Sequence, residues 1–150
     1  MITSKATKPN PALKPLSILI GQWKTRGSHP YVADKILHGH TSFQWMEGGA
    51  FLIMNTHLDD PRFPDGVAII GSDDGHDLLY MLYFDERGVS RKYNFSIDEN
   101  EWSWWREDRE LSQRFSCSIL NDGQTMVCEG RMRKQAGKWE GDLDLTYEKV

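Results

Sequence analysis

Residues 111–134 read LSQRFSCSILNDGQTMVCEGRMRK, two alternating runs separated by Asp122-Gly123. An Asp-Gly pair between such runs signals a two-residue hairpin loop, because the turn that fits strand twist needs residues tolerant of positive φ. A loop of that length fixes which residues face each other: Gln113 and Met132, Phe115 and Gly130, Cys117 and Cys128, Ile119 and Met126. Every charged side chain of both strands except the terminal Lys134 then falls on the other face, which holds Arg114, Ser116, Ser118, Glu129, Arg131 and Arg133. One face suits a core and the other suits water. The register makes Cys117 and Cys128 a hydrogen-bonded pair with Cα atoms about 5.5 Å apart. No cation on that face lowers a thiol pKa, so two buried, reduced and unreactive cysteines are expected.

Working outward, the same pairing carried back across Glu107 to Glu110 puts Trp102 opposite Phe115 and Trp104 opposite Gln113 on the inner face. Trp105 turns outward, where an exposed indole is a natural anchor for a homodimer. Gly48-Gly49 is a second tight loop. It sets Thr41, Phe43 and Trp45 against Thr56, Met54 and Leu52 on an apolar inner face, and leaves His38, His40, Ser42, Gln44, Ile53, Asn55 and His57 outside. From Gly21 onward the chain holds about ten runs of this kind, approximately 22–29, 36–47, 50–58, 66–72, 78–85, 89–97, 101–106, 111–121, 124–134 and 138–148. Turn residues separate them at the spacing of a meander. Ahead of them, Pro11 to Ile20 is a short apolar patch punctuated by proline, read as a turn or two of helix capping one end of the fold. Residues 1–10 are expected to be flexible.

Ten antiparallel strands without a helix long enough to cover a sheet leave two exposed edges, and closing the sheet removes both. The expected fold class is therefore all-β: one closed antiparallel meander β-barrel of about ten strands with a short N-terminal helix, a single domain over residues 1–150. A barrel of that strand number has room for one small ligand. Six Trp, five Tyr and six Phe, most of them inside alternating runs, suit such a pleated, half-buried surface. The 22 acidic and 18 basic side chains are interspersed and leave a formal charge of −4, which argues against nucleic acid and anionic membrane as partners. Met1 to Pro15 has no continuous apolar segment, and two cysteines do not make the disulfide framework of a small secreted domain; a cytoplasmic location is expected.

In the last run, strict alternation places Trp139, Leu143, Leu145 and Tyr147 inside with Asp142 and Asp144 outside. Gly21-x-Trp23 directly after a short apolar helix resembles the first strand of the calycin superfamily. Phe43-x-Trp45-x-Glu47 followed by Gly48, Phe51 and Leu52 resembles the second hairpin of its nitrobindin-like branch, and Leu145-Thr146-Tyr147-Glu148-Lys149-Val150 resembles that branch's last strand. Trp23, the Gly48-Gly49 turn with Phe51-Leu52, and Asp85 to Gly88 are also similar to an uncharacterised bacterial family of lipocalin-like proteins. The resemblance spans roughly Leu16 to Val150 and implies a lipocalin-like barrel. In nitrobindins it further implies a b-type haem held in the barrel mouth by a histidine of the last strand, and a first strand continuing as G-x-W-x-G-x-G-x-G. Here Thr25 and His29 replace two of those glycines, and the ligand region reads Asp142-Leu143-Asp144 with no histidine after His76. A carboxylate does not substitute for the neutral imidazole of such haem proteins, so no cofactor is expected. The family's ligand position would also point into the pocket, whereas alternation turns Asp142 away from it.

The functional expectation is a small apolar or aromatic ligand bound in the barrel cavity against Trp23, Phe43, Trp45, Met54, Trp102, Trp104 and Met132, oriented by Arg106 and Gln113. The competing class is an enzyme of the same fold, with haem-dependent redox or peroxynitrite chemistry or cofactor-free acid–base catalysis through a histidine and an aspartate. His38, His40 and His57 form the constellation that suggests a metal, since residues two apart share a strand face and His57 lies opposite His40. That face is the outer one, and a polar barrel exterior is the reading adopted. Should a pocket open near the rim on that side, Asp142 and Asp144 would join the histidines. Asp73-Asp74-Gly75-His76-Asp77 is read as a turn, because it lacks the glutamate that completes a calcium loop.

Overall fold

The structure is a computed structural model that describes residues 8–74 and 78–150. The expectations of flexibility at the N-terminus and of a turn around His76 fall largely outside the described residues. Among the described residues eleven strands follow one another: β1 Gly21–Ser28, β2 Leu37–Met46, β3 Phe51–Leu58, β4 Gly66–Ser72, β5 Leu79–Asp85, β6 Ser90–Ile97, β7 Glu101–Arg106, β8 Leu111–Leu120, β9 Thr125–Lys134, β10 Glu140–Gly141 and β11 Asp144–Lys149. From β1 to β9 each pairs antiparallel with the next, and β9 bonds to β8 on one side and to β10 and β11 on the other. Because β11 also pairs with β1, the sheet closes into the expected barrel. No helix among the described residues is long and apolar enough to cross a membrane.

The expected short N-terminal helix is present as a 3-10 helix, Pro11–Leu19. Three residues per turn put Leu13, Leu16 and Leu19 on one stripe, and all three are fully buried against one end of the barrel. Trp23 locks that end, since its indole N–H donates to the Leu19 carbonyl at 2.8 Å. Trp102 fills the middle. Its ring meets those of Phe43, Phe95, Phe115 and Tyr147 at centroid distances of 5.7 to 6.3 Å, and its Nε1 donates to the Met126 sulfur.

The β2–β3 register is the one expected, with Phe43 opposite Met54, Trp45 opposite Leu52 and His40 opposite His57. The β7–β8 register is displaced by two residues: Trp102 faces Cys117, Trp104 faces Phe115, and Arg106 faces Gln113. The cause lies in the connecting loop. Asp108 accepts the Glu110 N–H, and the Ser112 hydroxyl bonds both the N–H and the carbonyl of Asp108, so Leu111 and Ser112 are drawn onto β9 before β7 begins to pair with β8. A shift of two keeps every side chain on its expected face.

The β8–β9 partners are also those expected, but the loop takes four residues rather than two. Leu120 and Thr125 form the last pair, with Asn121, Asp122 and Gly123 all at positive φ. One step of difference exchanges the two kinds of antiparallel pair. Cys117 and Cys128 therefore sit as a close pair, Cα atoms 4.0 Å apart, and are joined by a disulfide. The expectation of two reduced thiols is corrected by the length of that loop, and the thiol argument for a reducing compartment goes with it.

The last run is not one strand. β10 pairs Glu140 with Met132 and Gly141 with Arg131, whereas β11 pairs Leu145 with Cys128, so one extra residue has entered opposite Gly130. This is a β-bulge at Asp142 and Leu143. Gly130 permits it: a Cβ there would lie 2.3 Å from the Leu143 carbonyl oxygen. Beyond a bulge the alternation inverts. Trp139, expected inside, is stacked on the outer face between the guanidiniums of Arg114 and Arg133, at 4.0 and 4.9 Å. Asp142, expected outside, turns toward the barrel.

Candidate functional site

The end of the barrel remote from the N-terminal helix receives the C-terminal ends of β1, β5 and β7 and the beginnings of β6 and β8. Period-two alternation sends Tyr83, Arg91, Tyr93, Trp104, Arg106 and Gln113 inward there. Deeper inward-facing residues such as Trp23, Phe43 and Trp102 have almost no accessible surface, while Trp104, Arg106, Gln113, Arg91 and Tyr83 are half-buried. An inward-facing side chain that water reaches marks a recess in the mouth.

One hydrogen-bonded chain crosses this recess. Asp142 Oδ1 meets His29 Nε2 at 3.1 Å, and its Oδ2 accepts from Gln113 Nε2 at 3.4 Å. Gln113 Oε1 accepts from the Tyr93 hydroxyl at 2.6 Å and from Arg91 Nη1 at 3.4 Å. His29 Nδ1 accepts the Tyr31 N–H at 3.1 Å, which leaves the ring proton on Nε2 for Asp142. Both imidazole nitrogens are committed, so the pair positions Asp142 and offers no free base. Burial pushes the Tyr93 phenol above its ordinary pKa, against the pull of Arg91 and Arg106; it is a neutral hydrogen-bond donor.

β6 and β7 pair from Ile97 and Trp102 up to Asn94 and Trp105, then part. Beyond that last rung lies a cleft of about 380 Å³ in the barrel wall, flanked by the inward Arg91, Tyr93 and Arg106 and, on its outer side, by Lys92, Glu107 and Asp108. Arg106 stands 6.0 Å over the Tyr93 ring and is paired with Asp108 at 3.1 Å. The Tyr93 ring meets Trp104 at 4.5 Å, and Trp104 stacks on Phe115 at 5.2 Å, so an aromatic path leads from the cleft to the packed core.

Of the ligand-contacting residues expected from sequence, Trp104, Arg106 and Gln113 gather at this mouth. Trp23, Phe43, Met54, Trp102 and Met132 are buried, and Trp45 is half-buried near the helix end. Trp105 lies on the outward side, opposite Arg114. Arg91 and Tyr93 were missed although the 89–97 run carries them in phase with the inward Phe95. Asp142 could be found only through the bulge. On the opposite, outer face His38 and His40 are exposed, and His57 directs its two nitrogens to Asp65 at 2.6 Å and Asp59 at 3.2 Å. Neither Asp142 nor Asp144 joins them: Asp144 accepts the Gly130 N–H. Among the described residues no group of three or more His, Cys, Asp or Glu is placed to hold a metal. Of the described histidines, His29 alone bonds into the mouth, where Asp142 and the Tyr31 N–H engage its two nitrogens.

No protein-family model matches the sequence, and no curated protein matches it. Among solved structures, the crystal structure of Rv2717c from M. tuberculosis superposes with a TM-score of 0.69, covering 95% of this chain and 99% of that one at 15% identity. The likeness shows the fold alone: a closed antiparallel barrel consistent with the calycin architecture.

Proposed function

We propose that this protein binds a small molecule with an aromatic or apolar body in the mouth of its barrel, with Trp104 and the Tyr93 ring as the apolar surface and Gln113 and Arg106 as the orienting polar groups. The observation that carries this reading is the parting of β6 and β7, which leaves a cleft of about 380 Å³ beside Arg91, Tyr93 and Arg106, with the half-buried, inward-facing Trp104 packed on the Tyr93 ring and Gln113 bonded to its hydroxyl. That volume is in the range of small-molecule sites, and a few directed polar groups beside ring surface is their usual composition. A binding role is preferred to acid–base catalysis because the one His–Asp pair at the mouth has no free nitrogen.

Titration with the fluorescent aromatic probes 1-naphthoate and 1-naphthalenemethanol, followed by calorimetry and tryptophan emission, tests it. Saturable 1:1 binding of at least one probe is expected, weakened in Trp104→Ala and retained in Trp105→Ala. Non-saturating titrations with both would overturn it. The same reading keeps the protein in the cytoplasm, and the Cys117–Cys128 link is the observation against that placement. Thiol trapping followed by mass spectrometry of the protein from freshly lysed cells decides the point, a trapped pair of free thiols supporting the cytoplasm.

A further inference from the structure

We infer that the ligand of this mouth is an acid, its anionic head group held between Arg91 and Arg106. The inference rests on the binding role proposed above and names the class of molecule. Arg91 and Arg106 both lie in phase with the inward-facing Tyr93 and Gln113, and both flank the cleft left where β6 and β7 part. A guanidinium turned into a barrel gives up hydration and needs an anion in return. Arg106 has one in Asp108. Among the described residues Arg91 has no carboxylate within ion-pair distance, and its side-chain bonds go to neutral groups, the Gln113 amide at 3.4 Å and the Tyr93 phenol.

The carboxylates nearby do not answer that need. Asp142 is held by His29 and Gln113, Asp85 by Arg87 and Tyr83, and Glu107 and Asp108 sit exposed at the outer lip of the cleft. The cleft thus offers two planar guanidinium forks, of which Arg91 has no carboxylate partner among the described residues, with Lys92 beside them and the Tyr93–Trp104 ring pair behind. Guanidinium forks match a carboxylate or phosphate oxygen pair in geometry as well as charge. An aromatic or apolar acid satisfies both halves: its ring lies along the half-buried Trp104, and its head group lies between Arg91 and Arg106.

The test compares 1-naphthoate with 1-naphthalenemethanol, which share a body and differ in charge, on the wild type, Arg91→Met, Arg91→Lys and Arg106→Met. The acid should bind about tenfold or more tightly than the alcohol, added salt should weaken the acid alone, and Arg91→Met should remove most of that preference while leaving the alcohol's affinity in place. Arg91→Lys should keep part of it, and retained thermal unfolding shows that each variant is folded. Equal affinity for acid and alcohol in the wild type, or an acid preference unchanged in both Met variants, would overturn the inference while the mouth remains a binding site. Failure of both probes would overturn the binding role as well.

Discussion

Single side chains in this barrel are set by the partners that the register brings to them. His57 was read from sequence as one of three histidines on an outer face, and it lies there, but Asp65 and Asp59 hold its ring. The Asp65 hydrogen bond, with the two nearby negative charges, raises its pKa above the ordinary 6.5 despite some opposing desolvation. A histidine with a raised folded-state pKa adds stability that is fully present below about 6.5 and is lost as pH rises through the folded value. An NMR titration should find the His57 pKa above 6.5 in the wild type and lower than that in Asp65→Asn, where Asp59 alone still raises it; an unmoved midpoint would contradict the pairing. At the mouth, Asp142→Ala strips the buried His29 of its Nε2 acceptor and Gln113 of one of its own. Leaving such donors unpaired costs on the order of 1–3 kcal/mol, to be read by urea unfolding, with Asp142→Asn costing less because it keeps an acceptor.

Elements are joined by two local departures from ideal hairpins, and each has a measurable cost. The bulge opposite Gly130 needs the space that glycine leaves beside the Leu143 carbonyl. Gly130→Ala should therefore destabilise by more than about 2 kcal/mol, because backbone on both strands must move, and it should separate Asp142 from His29. A denaturation midpoint equal to wild type would show that the strands slip freely. The four-residue loop after β8 brings Cys117 and Cys128 into the disulfide across an 11-residue separation. In the chain-entropy account, closing a loop of that size is worth up to about 3 kcal/mol, so the Cys117→Ser, Cys128→Ser double variant should lower the unfolding midpoint. Mass analysis with alkylation should find no free thiol in the wild type, either folded or denatured. Alkylation of both sites after denaturation would put the protein in the reduced state that the sequence alone implied.

Across the whole molecule the barrel is closed and packed at the helix end and open at the other, and the tryptophans report the gradient. Trp102→Ala removes a ring in contact with four others and should cost about 3–5 kcal/mol, whereas the half-buried Trp104 should cost clearly less; guanidinium denaturation of both variants measures the difference. Sequence determined the alternation, the closed all-β barrel, the partners across Gly48-Gly49 and Asp122-Gly123, and the inward placement of Trp104, Arg106 and Gln113, because side-chain period and turn residues are local properties written in consecutive positions. It did not determine the two-residue displacement between β7 and β8, which depends on Ser112 bonding back to Asp108, or the state of the cysteines, which depends on loop length. Tertiary structure alone brought Asp142 to His29, since the inversion after Gly141 needs a glycine on a neighbouring strand. It alone also opened the cleft beside Arg91, because whether two strands go on pairing past a rung is decided by the curvature of the closed sheet and by the loops that end it, neither of which any single run of residues encodes.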